Sequence, residues 1–350
     1  MTPHWFRDPL TTLSPEWLKR AQNRQNQLTK PPGSLGILEQ LAIRLSAMQK
    51  SDTPTLEGAR IAVFAADHGI AASGDISAFP QAVTVEMIRN FSRGGAAISV
   101  MARHLNAVLE VIDVGAATDV GPLPGVISRR VANGTADFRN QAAMTPVQFE
   151  QALMAGREAV YRAVQSGCSI FIAGEMGIGN TTASAAVICS LLSLSPEQVV
   201  GPGTGVNADG IKRKQAAIQT ALDRHARFLT SPLEILRYLG GLEIAAMCGA
   251  YVACAQVGMP AIVDGFIASA AALVAVSEKK GVRDWLFFSH RSAEPGQYPV
   301  FQALGVQPLL QMDMRLGEGT GAAAALPLLR LACALHGQMA TFAEAGVSQG

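Results

Sequence analysis

The chain has 350 residues, 49% of them hydrophobic, 16% charged and 6% aromatic, with 34 glycines. That apolar content excludes a predominantly disordered chain and allows one large domain or two modest ones around a sizeable core. Lys and Arg number 28 against 27 Asp and Glu, leaving a formal charge of +1 with no basic run; this argues against a nucleic-acid partner and for a small-molecule ligand.

In chain order, Met1 to Asp8 lack a basic stretch followed by an apolar one, so no export signal is expected. Ser14-Pro15-Glu16 opens a first helix. Arg60–Ala66 reads as a strand ending at Asp67-His68-Gly69, and Ala107–Val114 as a second. Thr145-Pro146-Val147-Gln148 combines a capping box with proline at the first helical position; Phe149, Leu153, Gly156, Val160 and Val164 then recur as one buried face. Cys168–Ala173 is the third strand, and Ser195-Pro196-Glu197 opens another helix.

Ile244 to Val263 is free of charge and long enough to span a bilayer. Gln256, Pro260 and the flanking Glu243 and Asp264 favour a buried helix followed by a strand at Pro260–Asp264, so no membrane partner is expected. The last strand, Asp284–Phe288, leads into Ser289-His290-Arg291-Ser292-Ala293-Glu294. Strands alternating with Ala-rich helices predict an α/β fold, a parallel sheet flanked by helices on both faces. Residues 1–39 and 301–350 offer helices without strands, which predicts a smaller helical subdomain from both termini against an α/β core of residues 40–300. The cysteines, Cys168, Cys189, Cys248, Cys254 and Cys333, form an odd set without a CxxC pair. They read as free thiols in a reducing compartment, hence a cytoplasmic protein, with neither structural zinc nor a disulfide framework.

The chemistry gathers at glycine turns. Strand Cys168–Ala173 runs into Gly174-Glu175-Met176-Gly177-Ile178-Gly179-Asn180-Thr181-Thr182 and then an Ala-rich helix. A strand, a glycine turn and a helix start present backbone N–H groups and a positive dipole end to an anion, phosphate above all. No lysine follows the last glycine, so the turn is not a Walker A loop, and tight turning or close helix packing is its other reading. Gly201-Pro202-Gly203-Thr204-Gly205, leading to Lys212-Arg213-Lys214, and Gly317-Glu318-Gly319-Thr320-Gly321 repeat the pattern. Glu175 and Glu318 beside glycines are either solvated loop residues or carboxylates in an apolar pocket, where a raised pKa suits a general base. Asp67 and His68 read as metal ligands, or His68 as a hydrogen-bonded histidine holding a loop, and the sequence lacks a second His/Cys group at metal-like spacing. No two acids are adjacent anywhere in the chain, which argues against a magnesium-bound pyrophosphate donor. From Ile211 to His225 there is neither Gly nor Pro, so Lys214 falls in the early turns of an unbroken helix.

Together these motifs resemble the nicotinate-nucleotide dimethylbenzimidazole phosphoribosyltransferase family. The resemblance is carried by Leu28-Thr29-Lys30-Pro31-Pro32-Gly33-Ser34-Leu35-Gly36, Ala66-Asp67-His68-Gly69, the Gly174–Thr182 turn and Met314-Arg315-Leu316-Gly317-Glu318-Gly319-Thr320-Gly321, with Asp264-Gly265-Phe266 and Ser289-His290 extending it. It implies a Rossmann-like core, a homodimer, no cofactor and no metal, and transfer of phosphoribose from nicotinate mononucleotide to 5,6-dimethylbenzimidazole in cobalamin nucleotide-loop assembly. By the same resemblance Glu318 takes the proton of the attacking base and Glu175 is a second acid near the ribose. Lys214 and the amides of Gly177 and Gly203 bind phosphate, with Asn180, Thr181, Ser292, Arg315 and Gly317 on the phosphate and ribose side. Phe79, Pro80, Met87, Met176 and Leu316 are expected at the base; core packing is the other reading for Phe79 and Met87. Another nucleotide N-glycosyl transferase or hydrolase acting on a similar donor and a regulatory nucleotide-binding module without chemistry remain as alternatives.

Overall fold

The computed structural model describes residues 3–203 and 205–348. Two N-terminal helices, α1 (Pro15–Gln27) and α2 (Ile37–Gln49), precede strand β1 (Ala59–Ala66), then α3 (Ala82–Arg93), α4 (Ala97–His104), β2 (Val108–Gly115) and the short β3 (Val126–Ser128). The middle of the chain gives α5 (Pro146–Gln165), β4 (Ile170–Met176), α6 (Asn180–Leu192), α7 (Pro196–Val199), α8 (Ala208–His225), α9 (Pro232–Leu239), α10 (Leu242–Val257), β5 (Ala261–Val263) and α11 (Phe266–Glu278). The remainder is β6 (Leu286–Phe288), β7 (His290–Arg291), α12 (Gln297–Leu304), β8 (Leu310–Gln311), α13 (Thr320–Gln338) and α14 (Phe342–Ala345).

Six strands form one parallel sheet in the order β3-β2-β1-β4-β5-β6, flanked by helices, as the alternating pattern predicts. All eight residues of β1 are buried, the signature of a strand covered on both faces. Two helix starts form as their sequences predict: Ser14 accepts the N–H of Trp17, and Thr145 with Gln148 makes a reciprocal capping box. α5 lies against α10 so closely that a Cβ at Gly249 would press into the Leu153 carbonyl oxygen, and one at Gly156 into that of Ala246. The glycines there serve helix packing. The apolar stretch 244–263 is the buried α10 followed by β5, and no helix among the described residues is long and apolar enough to cross a membrane.

Several boundaries move. The third strand runs to Met176 because Gly174, Glu175 and Met176 pair with Val63, Phe64 and Ala65 of β1, so Glu175 sits on the sheet and not in the turn. Residues 280–285 form a 3-10 turn that leaves only Leu286–Phe288 extended. β3 was not anticipated: three residues on the sheet edge carry too short an alternation to read. The C-terminal fifty residues are not strand-free, since β8 pairs with β7. The cuts at 39/40 and 300/301 fall inside α2 and α12. The termini do meet: Leu28 bridges Thr341, and the Arg24 guanidinium donates to the carbonyls of His336, Gly337 and Met339, closing the C-terminal end of α13. The N-terminal half of α13 nevertheless enters the main core through Ala322, Ala323, Ala325 and Leu326.

Candidate functional site

From β1 the chain pairs with β2 on one side and with β4 on the other, so the crevice beyond the C-terminal ends of β1 and β4 is the switch point of the sheet. β1 ends there in Asp67-His68, β4 in Glu175-Met176 and β5 in Asp264. A cleft opens over these ends, lined among others by Glu175, Met176, Asn180, Thr181, Gly203, Asp264, His290, Ser292, Glu294, Arg315, Leu316 and Gly317. Two helices start on it without a capping side chain: α6 behind Gly179 and α11 behind Gly265. Their first turns direct positive dipole ends into the cleft.

The anion side is built around Lys214. It stands in the second turn of α8, capped by Asn207, and is 2% exposed. Its ammonium donates to Thr181 Oγ1 at 3.1 Å and to the Gly201 carbonyl at 3.2 Å. Burial pulls its pKa down, opposed by the nearby Glu294 carboxylate. Ser292 and Gly177 complete this wall, and Thr84 of α3 steadies the turn by accepting the Ile178 N–H while donating to Asp67. The Gly203 N–H is donated to Glu294 Oε1 at 2.9 Å, a partner the sequence did not foretell. Thr204 of the same turn lies outside the described residues.

The third glycine turn holds acids and offers less to an anion. Asp264 accepts the N–H groups of Gly319 at 3.1 Å and Ala322 at 2.9 Å, taking up the start of α13. A Cβ on Gly174 would press into the Glu318 carbonyl oxygen, and one on Gly317 into the Glu175 carboxylate, so the two glycine turns interlock and seat both glutamates. Glu318 has φ of 62°, the left-handed region that side chains disfavour. Its Oε2 accepts the Ile98 N–H at the start of α4. Glu175 accepts a hydrogen bond from Asn180 Nδ2.

Both glutamates are buried. Burial, then the charges of Asp264, Glu243 and Glu318, holds the Glu175 carboxyl well above its ordinary range. Burial and Asp264 raise Glu318, the Ile98 N–H opposing them, and burial raises Asp264 against the pull of His290. The native state therefore keeps protons that the unfolded chain has released. This contribution to stability is complete below the ordinary carboxylate range, near pH 4.5 for Glu175, and is lost as pH climbs through the raised values. Glu175→Gln is accordingly expected to unfold with a flatter pH dependence and to be more stable by roughly 1–3 kcal/mol at pH 8. Urea melts at pH 5 and pH 8 check this; a slope equal to that of the wild type contradicts it.

His68 Nε2 lies 2.6 Å from Glu243 Oε1 in full burial, and Asp67 accepts from Thr84 and from the Ala117 N–H. His68 is thus a hydrogen-bonded histidine at its loop, with Glu243 as the partner. Glu243 was missed because it is 175 residues from its partner. Asp264, His290 and Glu294 stand inside sequence motifs or turns, and their position beyond strand ends is the signal that marks them. On the base side, Met176 and Leu316 line the cleft, Leu316 being 59% exposed. Phe79 is 48% exposed and is not core; it and Pro80 stand on the segment before α3, Met87 is half-buried on α3, and none of the three lines the cleft. Gln81 ties that segment to the His68 carbonyl.

A parallel sheet with uncapped helix starts, a buried lysine and two buried carboxylates at its switch point is an α/β architecture with the features of an anion-binding cleft. A family model described as Phosphoribosyltransferase matches residues 10–347. The chain is 57% identical to nicotinate-nucleotide--dimethylbenzimidazole phosphoribosyltransferase of Pseudomonas aeruginosa strain UCBPP-PA14, over 99% of each chain. It is 58% identical to the protein of that name from Xanthomonas campestris pv. campestris strain 8004, over 93% of each. Among solved structures it is similar to CobT from Thermus thermophilus, with a TM-score of 0.92 and 48% identity, covering 96% of this chain and 100% of that one. The chain belongs to the nicotinate-nucleotide dimethylbenzimidazole phosphoribosyltransferase family.

Proposed function

We propose that this cleft moves phosphoribose from nicotinate mononucleotide to 5,6-dimethylbenzimidazole, giving α-ribazole 5′-phosphate and nicotinate for assembly of the cobalamin nucleotide loop. The observation that carries the reading is the seating of Glu175 and Glu318 by interlocked glycine turns beside a buried lysine and an uncapped helix start. One wall suits a phosphate and the other a base that must lose a proton.

The 5′-phosphate lies against the start of α6 and Lys214, with Gly177, Gly203, Asn180, Thr181, Ser292, Arg315 and Gly317 around phosphate and ribose. The C1′–N bond of the donor breaks with its electron pair going to the pyridine nitrogen, so nicotinate leaves without needing a proton. C1′ gains oxocarbenium character, which the Glu175 carboxylate stabilises when ionised. An imidazole nitrogen of the acceptor attacks the opposite face, turning the β linkage into α. Glu318 accepts the proton from the other ring nitrogen, and its raised pKa suits a general base near neutrality. Met176 and Leu316, which line the cleft, offer apolar surface for the ring.

Mass spectrometry and NMR of a reaction with both substrates test this. An α-linked nucleotide is expected; free ribose 5-phosphate would mark a hydrolase, and binding without nicotinate release a nucleotide-binding module. The reading includes a homodimer, which family resemblance supports and sedimentation velocity checks, and a cytoplasmic enzyme, which its free cysteines suit. It also includes a smaller helical unit from both termini, supported by the contacts of Arg24 with the end of α13.

A further inference from the structure

A carboxylate stands where the phosphate is expected. Glu294 takes the Gly203 N–H through Oε1 at 2.9 Å and faces the Lys214 ammonium, two of the groups that the proposed function gives to the 5′-phosphate. Its own N–H donates to Ser292 Oγ at 3.2 Å. The residue is 6% exposed, and Oε2 has no hydrogen-bond partner. A Cβ at Gly201 would press against that oxygen, and Gly201 does not have a positive φ, so the missing side chain there makes room for this carboxylate. The charged groups facing it are Lys214 from α8 and Arg315 from the segment before α13; burial raises its pKa and these two cations and the Gly203 N–H oppose the rise.

We propose that Glu294 is a specificity-determining residue of the phosphate subsite, a built-in anion whose ionised form competes with the 5′-phosphate for the Gly203 N–H and the charge of Lys214. The inference rests on the phosphate placement made above. Two anions cannot share these partners in a buried site at modest cost, so the nucleotide binds as the carboxylate takes up a proton from solvent. The neutral carboxyl then turns its unpartnered oxygen into a donor toward a phosphate oxygen. Binding of the donor is thereby linked to proton uptake, and its KM rises with pH beyond what the titration of the phosphate itself produces.

Calorimetry of nicotinate mononucleotide binding in two buffers of different ionisation enthalpy, at pH 7 and pH 8, reads the proton count directly. Glu294→Gln keeps the shape without the charge. Wild type is expected to take up more protons than this variant, with the phosphate's own titration cancelling in the comparison. At pH 8 Glu294→Gln is expected to show a donor KM about tenfold lower, with a smaller change in kcat. Equal proton uptake and parallel pH profiles overturn the proposal. Lys214→Met separates the two readings: if it binds the nucleotide as wild type does, the phosphate subsite is misplaced. If it binds weakly while Glu294→Gln tracks wild type, only the role of Glu294 falls. Should Glu294→Gln not fold, the carboxyl carbon-13 resonance of Glu294 in wild type, assigned with Glu294→Asp, serves instead. Movement toward the protonated position on adding nucleotide supports the proposal, and an unmoved ionised resonance overturns it.

Discussion

Glu318→Gln is expected to lower kcat by about 10²–10⁴-fold, the range for losing a positioned general base, while the KM for nicotinate mononucleotide changes little. Gln is close in shape, and its carbonyl oxygen can still accept the Ile98 N–H that holds the Glu318 carboxylate. The left-handed backbone at Glu318 costs the folded chain about 1–2 kcal/mol, and the interlock with Gly174 holds it regardless, so the variant should fold as the wild type does. What it loses is the capacity to accept a proton. Because burial and Asp264 raise the Glu318 pKa, the wild-type rate should climb with pH as the carboxylate ionises, and the residual rate of the variant should lack that limb. Steady-state kinetics across pH 5 to pH 9 with both substrates decide the matter; wild-type turnover in the variant removes Glu318 as the base.

The second large effect is expected at Lys214. Replacing it with Met keeps most of the buried stem and deletes the ammonium that bonds Thr181 Oγ1 and the Gly201 carbonyl. Hydrogen bonds to a charged group are worth about 1.5–3 kcal/mol, so kcat/KM for the donor should fall by roughly 10-fold to 10²-fold, mainly through KM. Inhibition by inorganic phosphate should weaken in parallel. The variant also leaves Glu294 facing one cation fewer, so its melting temperature should drop and the drop should shrink at low pH, where that carboxylate is neutral. Unchanged donor kinetics would place the phosphate elsewhere in the cleft.

The parallel sheet was legible because β1, β2 and β4 are β-branched or apolar runs bounded by Gly, Asp or Ser, and because Thr145 and Ser14 announce their helices. The glycine turns were legible as candidate sites because a strand, glycines and a helix start leave few other uses for Glu175 and Glu318. Less legible was what each glycine does. Gly179 leaves the start of α6 uncapped, Gly317 and Gly201 clear the Glu175 and Glu294 carboxylates, and Gly249 seats a helix; one residue type serves three purposes. The third turn looked like an anion site, yet Asp264 takes its amides from 55 and 58 residues away.

By itself the sequence determined the fold class, the order of the main elements and the family, and it singled out Glu175, Glu318 and Lys214 as candidates, because these depend on local periodicity and on motifs contiguous in the chain. The tertiary structure alone decided that Glu175 lies on the sheet, that burial and then Asp264, Glu243 and Glu318 raise its pKa, and that the Gly203 amide is held by Glu294. The physical reason is that burial and Coulomb energy depend on distances through space. Those distances are set by the packing of β1, β4, β5 and α13, elements that the chain separates by up to more than two hundred residues.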